Sequence, residues 1–167
     1  MTNDSGAAGT TAWRGPQALR LAAFVAAILL TGFAVGYFSD PKASYDALAK
    51  PGFAPPAWLF GPVWTVLYVM IGVVGWRISE RAPRGAEMLL WWVQMLLNVA
   101  WTPVFFMAGS RGAALGVIGV LLLAILLLVA RLWRSDRTAA ALLLPYLAWV
   151  GFAAILNAEI VRLNAGV

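Results

Sequence analysis

The sequence predicts an all-α integral membrane bundle of five transmembrane helices with a long, proline-rich first extramembrane loop. Three observations carry that expectation. The 167 residues are 62% hydrophobic and 11% charged, whereas a soluble domain is typically about 45–50% apolar and about 25% charged. Five apolar windows approach or exceed the roughly 20 residues needed to cross the hydrocarbon. The basic residues alternate in density between successive connections, as they do in multi-pass proteins. One membrane domain over residues 1–167, with residues 1–17 as a polar tail, accounts for the whole sequence.

The windows are Leu21–Phe38, Ala57–Trp76, Met88–Ala108, Ala113–Trp133 and Ala139–Ile160. The first is the shortest and extends by borrowing Ala18 and Leu19. It is too long for the apolar region of a signal peptide, and Gly6–Thr11 before it is an ordinary polar stretch. On one side of the bundle lie Arg14, Arg20, Arg77, Arg81, Arg84, Arg131, Arg134 and Arg137. The other side has Lys42, Lys50, Arg111 and Arg162. The positive-inside rule then places the N-terminus in the cytoplasm and the first loop and C-terminus outside. The net charge of +5 is thus read as orientation charge, and no nucleic-acid partner is expected.

The first loop, "SDPKASYDALAKPGFAPP" at Ser39–Pro56, is long for a bundle connection, and long ordered loops tend to be lids or binding loops. Its middle, "SYDALAK", has the composition for one or two helical turns. Lys50 precedes Pro51 and is biased away from the helical region, and Pro55-Pro56 enforces an extended approach to the next span. An ordinary connector punctuated by proline is the alternative.

Pro62 lies inside the second window, where its ring would clash with the Trp58 carbonyl of a continuous helix. Either the helix starts again there or it kinks, and a broken backbone at membrane depth must face protein or a cavity. Pro103 and Pro145 mark further potential kinks in spans three and five. Kinks splay helices apart and leave room for a ligand.

At 100° per residue, Trp91, Gln94, Asn98, Trp101 and Phe105 of span three fall within about an 80° arc. Trp64, Leu67, Tyr68 and Ile71 share one face of span two. In span five, Trp149, Ala153 and Leu156 lie within about 60° of one another, with Asn157 beside Ala153. Amides in a span usually face the bundle interior. Two readings of these faces stand at this point: interhelical hydrogen bonding with core packing, or an aromatic ligand pocket. Trp13, Trp76 and Trp133 sit at window ends and read as interfacial anchors. Span four has no polar centre and reads as lipid-facing scaffold. Gly32/Gly36 and Gly112/Gly116 are small-xxx-small pairs, each a candidate helix-packing or dimer seam.

The chain has no cysteine and no histidine. That excludes disulfides, thiolate nucleophiles and Fe–S clusters, and removes the commonest general base and the usual proximal haem ligand. No metal site is expected. Glu159 is the one acidic residue inside a window, near its end, where it reads as a snorkelling or Arg162-paired carboxylate.

Together these residues resemble the TspO/MBR family of tryptophan-rich sensory proteins and translocator proteins. The likeness runs roughly from Tyr45 to Asn164. It rests on Tyr45 ahead of "KPxxxPP" at Lys50–Pro56, "FGPVWTVLY" at Phe60–Tyr68, "QMLLNVAWTPVFF" at Gln94–Phe106 and "PYLAWVGFAAILN" at Pro145–Asn157. The resemblance implies a five-helix bundle, usually a homodimer, with a pocket beneath the first loop for porphyrins, sterols or benzodiazepine-site ligands. It implies pocket-lining roles for Trp64, Asn98, Trp101, Trp149, Ala153 and Leu156, and a capping role for Tyr45, Pro51 and Pro56. Tyr68, Gln94, Phe105 and Asn157 join them by helical face. Ser44 and Phe53 stand where the family pattern often has tryptophan. Ala158 and Glu159 follow Asn157, so the tyrosine of the animal sterol motif is missing. The expected ligand is a flat hydrophobic tetrapyrrole, metal-free porphyrin rather than haem, with no cofactor required. The role is sensor, scavenger or regulator. The alternatives are light- and oxygen-dependent porphyrin breakdown, with Trp64 and Trp149 as the reacting indoles, and transport of tetrapyrroles or sterols.

Overall fold

A bilayer forces every backbone polar group to find its partner within its own segment, and the chain meets that demand with helices throughout. The computed structural model describes residues 15–39 and 41–165; Trp13 and Arg14 lie outside them. The long helices are α1 (Gly15–Ser39), α3 (Phe60–Arg81), α4 (Ala86–Thr102), α5 (Arg111–Ser135) and α6 (Arg137–Leu163). A short helix α2 (Pro41–Asp46) sits in the first loop. A 3-10 turn at Ala57–Leu59 leads into α3, and a π-helical turn at Pro103–Met107 follows α4. Five segments, α3 and α4 each taken with its flanking turn, are long and apolar enough to cross a membrane. Spans one, four and five overrun their apolar windows at both ends, span two only at its C-terminal end and span three only at its N-terminal end, and α1 begins within the stretch expected as a tail.

The bundle closes as a ring. Helix α1 packs on α3, α3 on α6, α6 on α5 and α5 on α4, and α4 returns to α1. Glycine sets the closest approaches. A Cβ on Gly72 would lie 2.8 Å from the Val25 Cα, so α1 meets α3 backbone to backbone. A Cβ on Gly75 would lie 2.5 Å from a ring carbon of Trp91, whose buried indole donates to the Ile71 carbonyl at 3.1 Å. Of the small-residue pairs, Gly32 meets the Tyr68 ring inside the molecule, while Gly36, Gly112 and Gly116 have open space beside them.

Span four is scaffold on one side only. Ala114, Ile118, Leu121, Ile125, Leu128 and Leu132 of α5 are buried, while Val120, Leu123, Leu126 and Leu127 face outward. That two-sided pattern suits a helix between bundle and lipid.

The prolines act in three ways. Pro62 occupies the third position of α3, where its missing N–H is one of the donors left over at any helix start. Pro103 opens the π turn, whose wide hydrogen bond runs from the Ala108 N–H to the Pro103 carbonyl at 2.9 Å. Pro145, the other potential kink, lies inside α6, which continues through it.

At the end remote from the first loop, Asp136 is the N-cap of α6 and accepts from the Ala139 N–H at 3.1 Å. Arg77 grips the same carboxylate with two bonds of 2.8 and 2.9 Å, a bidentate pairing favoured by guanidinium geometry. Arg81 lies 3.5 Å from Asp136 and 3.6 Å from Glu87, and donates to the Ser135 carbonyl at 2.9 Å. The Arg77 bond, more than any other contact, holds the Asp136 carboxyl below the ordinary carboxylate range. Helices α3, α4 and α6 are thereby tied together at this end.

Candidate ligand-binding cavity

Beneath the first loop the helices part around a cavity of about 800 Å³. Helix α3 contributes Phe60, Trp64 and Tyr68 to its wall, and α6 contributes Trp149, Ala153, Leu156 and Asn157. Trp101, Phe105 and Phe106 come from the end of α4 and the π turn, Gly32 and Phe33 from α1, and Lys42 and Tyr45 from α2. The aromatic part of the wall is interlocked. Trp64 lies 5.2 Å from Tyr68 and 6.2 Å from Tyr146, centroid to centroid. Trp101 stacks on Phe105 at 5.0 Å, and Phe60 meets Trp149 edge-on at 5.8 Å. The π turn matters here: Phe105 is buried within it while Phe105 and Phe106 both reach the cavity.

Two of the expected site amides lie elsewhere. Gln94 and Asn98 are buried in the bundle and do not line the cavity. Asn98 donates from Nδ2 to the Tyr146 hydroxyl at 3.1 Å and accepts at Oδ1 from the Tyr68 hydroxyl, also at 3.1 Å. The Tyr146 hydroxyl in turn donates to Gln94 Oε1 at 2.9 Å, and Gln94 Nε2 donates to the Trp91 carbonyl at 2.9 Å. Their inward face is real, but what it meets is a tyrosine on α6. Asn157 is different: it lines the cavity, accepting from the Trp101 indole at 3.2 Å and donating to the Arg111 carbonyl at 3.0 Å. The Trp149 indole N–H is buried and makes no hydrogen bond within the protein.

The loop closes the outer end. Tyr45 is buried, donates from its hydroxyl to the Pro55 carbonyl at 3.0 Å and packs on Phe60 at 5.2 Å. Lys50 reaches back to the carbonyls of Tyr45 (2.9 Å) and Asp46 (3.1 Å), with its Nζ 4.9 Å from the Tyr45 ring centre. Burial, followed by the Asp46 charge, raises the Tyr45 hydroxyl above the usual phenol range. Pro51 and Pro56 are not in the cavity wall. They shape turns instead, accepting from the Ala54 and Leu59 N–H groups at 3.0 Å each. Asn164, at the end of α6, clasps the loop: it accepts from the Ala49 N–H at 3.2 Å and donates to the Ala49 carbonyl at 3.0 Å.

Helical spacing had the means to find two residues it passed over. Phe60 is one turn before Trp64 on the same face, and Tyr146 stands three residues before Trp149. Asn164 and Lys42 carry no periodic signal, since their partners belong to the loop's own fold.

Five apolar helices make this chain a multi-pass integral membrane protein, and an aromatic-rich cavity lies in its bundle under a structured extramembrane loop. Its sequence matches the TspO/MBR family over residues 24–163, beginning further upstream than the motifs alone suggest. It is 37% identical over 159 residues to the tryptophan-rich protein TspO of Chlorobaculum tepidum, covering 89% of this chain and 98% of that one. The tryptophan-rich sensory protein of Cereibacter sphaeroides is 34% identical over 129 residues, covering 77% and 82%. The human translocator protein is 36% identical over 131 residues, covering 73% and 75%. The chain belongs to the TspO/MBR family.

Proposed function

We propose that this protein binds porphyrins and similar flat hydrophobic molecules within the membrane, acting as a sensor, scavenger or regulator. The cavity carries the proposal. Its volume of about 800 Å³ falls in the range of small-molecule sites, about 300–1,000 Å³, and such sites combine apolar walls with a few placed polar groups. Trp64, Trp101 and Trp149 supply flat faces for a planar ring, each stacking contact adding about 0.5–1.5 kcal/mol beyond area burial. The names of its relatives, sensory protein and translocator protein, are compatible with this role. The homodimer implied by the family resemblance, and an orientation with the cap outside, belong to the same proposal.

Titration of the purified protein with protoporphyrin, followed by tryptophan fluorescence, tests it. Saturable quenching is expected, and Trp64→Ala should weaken binding by about 1–3 kcal/mol, the range for lost aromatic stacking. Non-saturable quenching, or a Trp64→Ala variant with unchanged affinity, overturns the reading. A second reading follows from Trp64 and Trp149 sharing one cavity: light- and oxygen-dependent breakdown of the bound porphyrin, with these indoles reacting. Product analysis in light and dark decides it, and Trp64→Phe should retain binding while losing product.

A further inference from the structure

We infer that the ligand is a hydrophobic acid, held with its carboxylate edge at the cavity mouth against Lys42. This inference rests on the porphyrin-binding proposal and narrows it.

Lys42 is the one charged side chain among the described residues of the cavity wall. It stands on α2 three residues before Tyr45, so both project from one side of that short helix to the cavity. Its side chain is 78% exposed, which places it at the rim. The other cation of the cap, Lys50, is not in the wall; its Nζ is bound to the carbonyls of Tyr45 and Asp46. Deeper in, the wall carries no charge among the described residues: beside its indole, phenyl and aliphatic groups it has the Asn157 amide and the hydroxyls of Thr65, Tyr68 and Thr102, and moving a carboxylate there without a cationic partner is costly. Protoporphyrin, the porphyrin used as probe, has an apolar macrocycle and, at one edge, two propionates. With the macrocycle beside Trp64 and Trp101, the propionates find water and a cation together only at the rim.

Lys42 already has a partner, Asp46 Oδ2 at 3.1 Å, but that carboxylate is 53% exposed. Exposed pairs one helical turn apart are weak and easily exchanged. Asp46 therefore competes with the ligand for Lys42, and the two residues should affect binding with opposite signs. A purely structural Lys42–Asp46 pair would not do this, since losing either partner would then act in the same direction.

The experiment compares protoporphyrin with its dimethyl ester on the full chain in neutral detergent, at low salt, by tryptophan fluorescence. Each variant is expressed relative to wild type for the same porphyrin, so partitioning of the ligand into detergent cancels. Lys42→Gln is expected to weaken protoporphyrin binding by about two- to five-fold, the reach of one exposed ion pair, and to leave the ester unchanged. Asp46→Asn is expected to tighten protoporphyrin and leave the ester unchanged. Both differences should vanish near 1 M salt, where the screening length is about 3 Å. The inference is overturned if Lys42→Gln leaves protoporphyrin binding intact, if it weakens acid and ester alike, or if Asp46→Asn also weakens the acid. Those results would leave porphyrin binding itself standing. Failure of wild type to bind either porphyrin overturns both proposals together.

Discussion

Replacing Asn98 by leucine tests whether the buried amides hold the bundle or hold the ligand. Asn98 is 4% exposed and bonds the hydroxyls of Tyr68 on α3 and Tyr146 on α6. Leucine keeps most of the volume and removes both bonds. Interhelical hydrogen bonds in membranes average about 0.6 kcal/mol and reach about 1.7 kcal/mol, so losing two costs about 1–3 kcal/mol. Tyr146 keeps its bond to Gln94, whereas Tyr68 loses the acceptor recorded for its hydroxyl, which pushes the cost toward the upper end. Equilibrium unfolding in mixed micelles reads the loss directly. Tyr146→Phe should be non-additive with Asn98→Leu, because the two share a bond. Porphyrin affinity should change far less than stability, since Asn98 is outside the cavity wall. A large fall in affinity with unchanged unfolding would refute the network and return Asn98 to the ligand.

Three further outcomes are expected. The Asp136 carboxyl is held low by Arg77, so its contribution to stability is full above the ordinary carboxylate range and is lost as pH falls through its depressed folded value. Asp136→Asn should therefore melt earlier at neutral pH and show a flatter acid slope below about pH 4; an unchanged slope counts against the pairing. Asn164→Ala removes the clasp on Ala49 and should speed porphyrin release in stopped-flow with little effect on melting, while an unchanged rate would show that the clasp does not hold the cap. In this cysteine-free chain, cysteine at Ser44 should be labelled from outside intact cells and cysteine at Ser135 protected; the reverse pattern would invert the orientation.

The five spans were legible because lipid leaves little alternative: an apolar stretch of sufficient length must be helical. Their ends were less so, since α3 and α6 run on into Arg81 and Leu163, where charged side chains reach water and composition stops marking the helix. Pro103 announced an irregularity, but the π turn depends on which carbonyl the Ala108 N–H selects, a matter of packing rather than residue type. The cavity aromatics Trp64, Tyr68, Trp101 and Trp149 were found by helical phase, and the structure brings them to one wall. The same phase gathered Gln94 and Asn98 with Trp101, yet a common inward direction does not say what lies opposite. Along span three the facing surface changes from the Tyr146 hydroxyl to open cavity, and that change is written on α6.

Asn98 and Asn157 show how little polarity the cavity retains. Both are buried, and in both the amide is engaged at oxygen and nitrogen: Asn98 by two tyrosines, Asn157 by the Trp101 indole and the Arg111 carbonyl. Asn157 therefore lines the cavity with its hydrogen-bonding capacity largely committed. The Trp101 N–H is committed to Asn157, and the Tyr68 hydroxyl to Asn98. Among the described residues of the wall, what remains is the Lys42 cation at the rim and the hydroxyls of Tyr37, Thr65 and Thr102, of which Thr65 already donates to the Gly61 carbonyl. A lining with so few uncommitted polar groups suits a ligand that is mostly apolar. On the porphyrin-binding proposal, recognition would then depend on shape, with a broad flat ring beside the indoles and the rim cation setting which edge points outward.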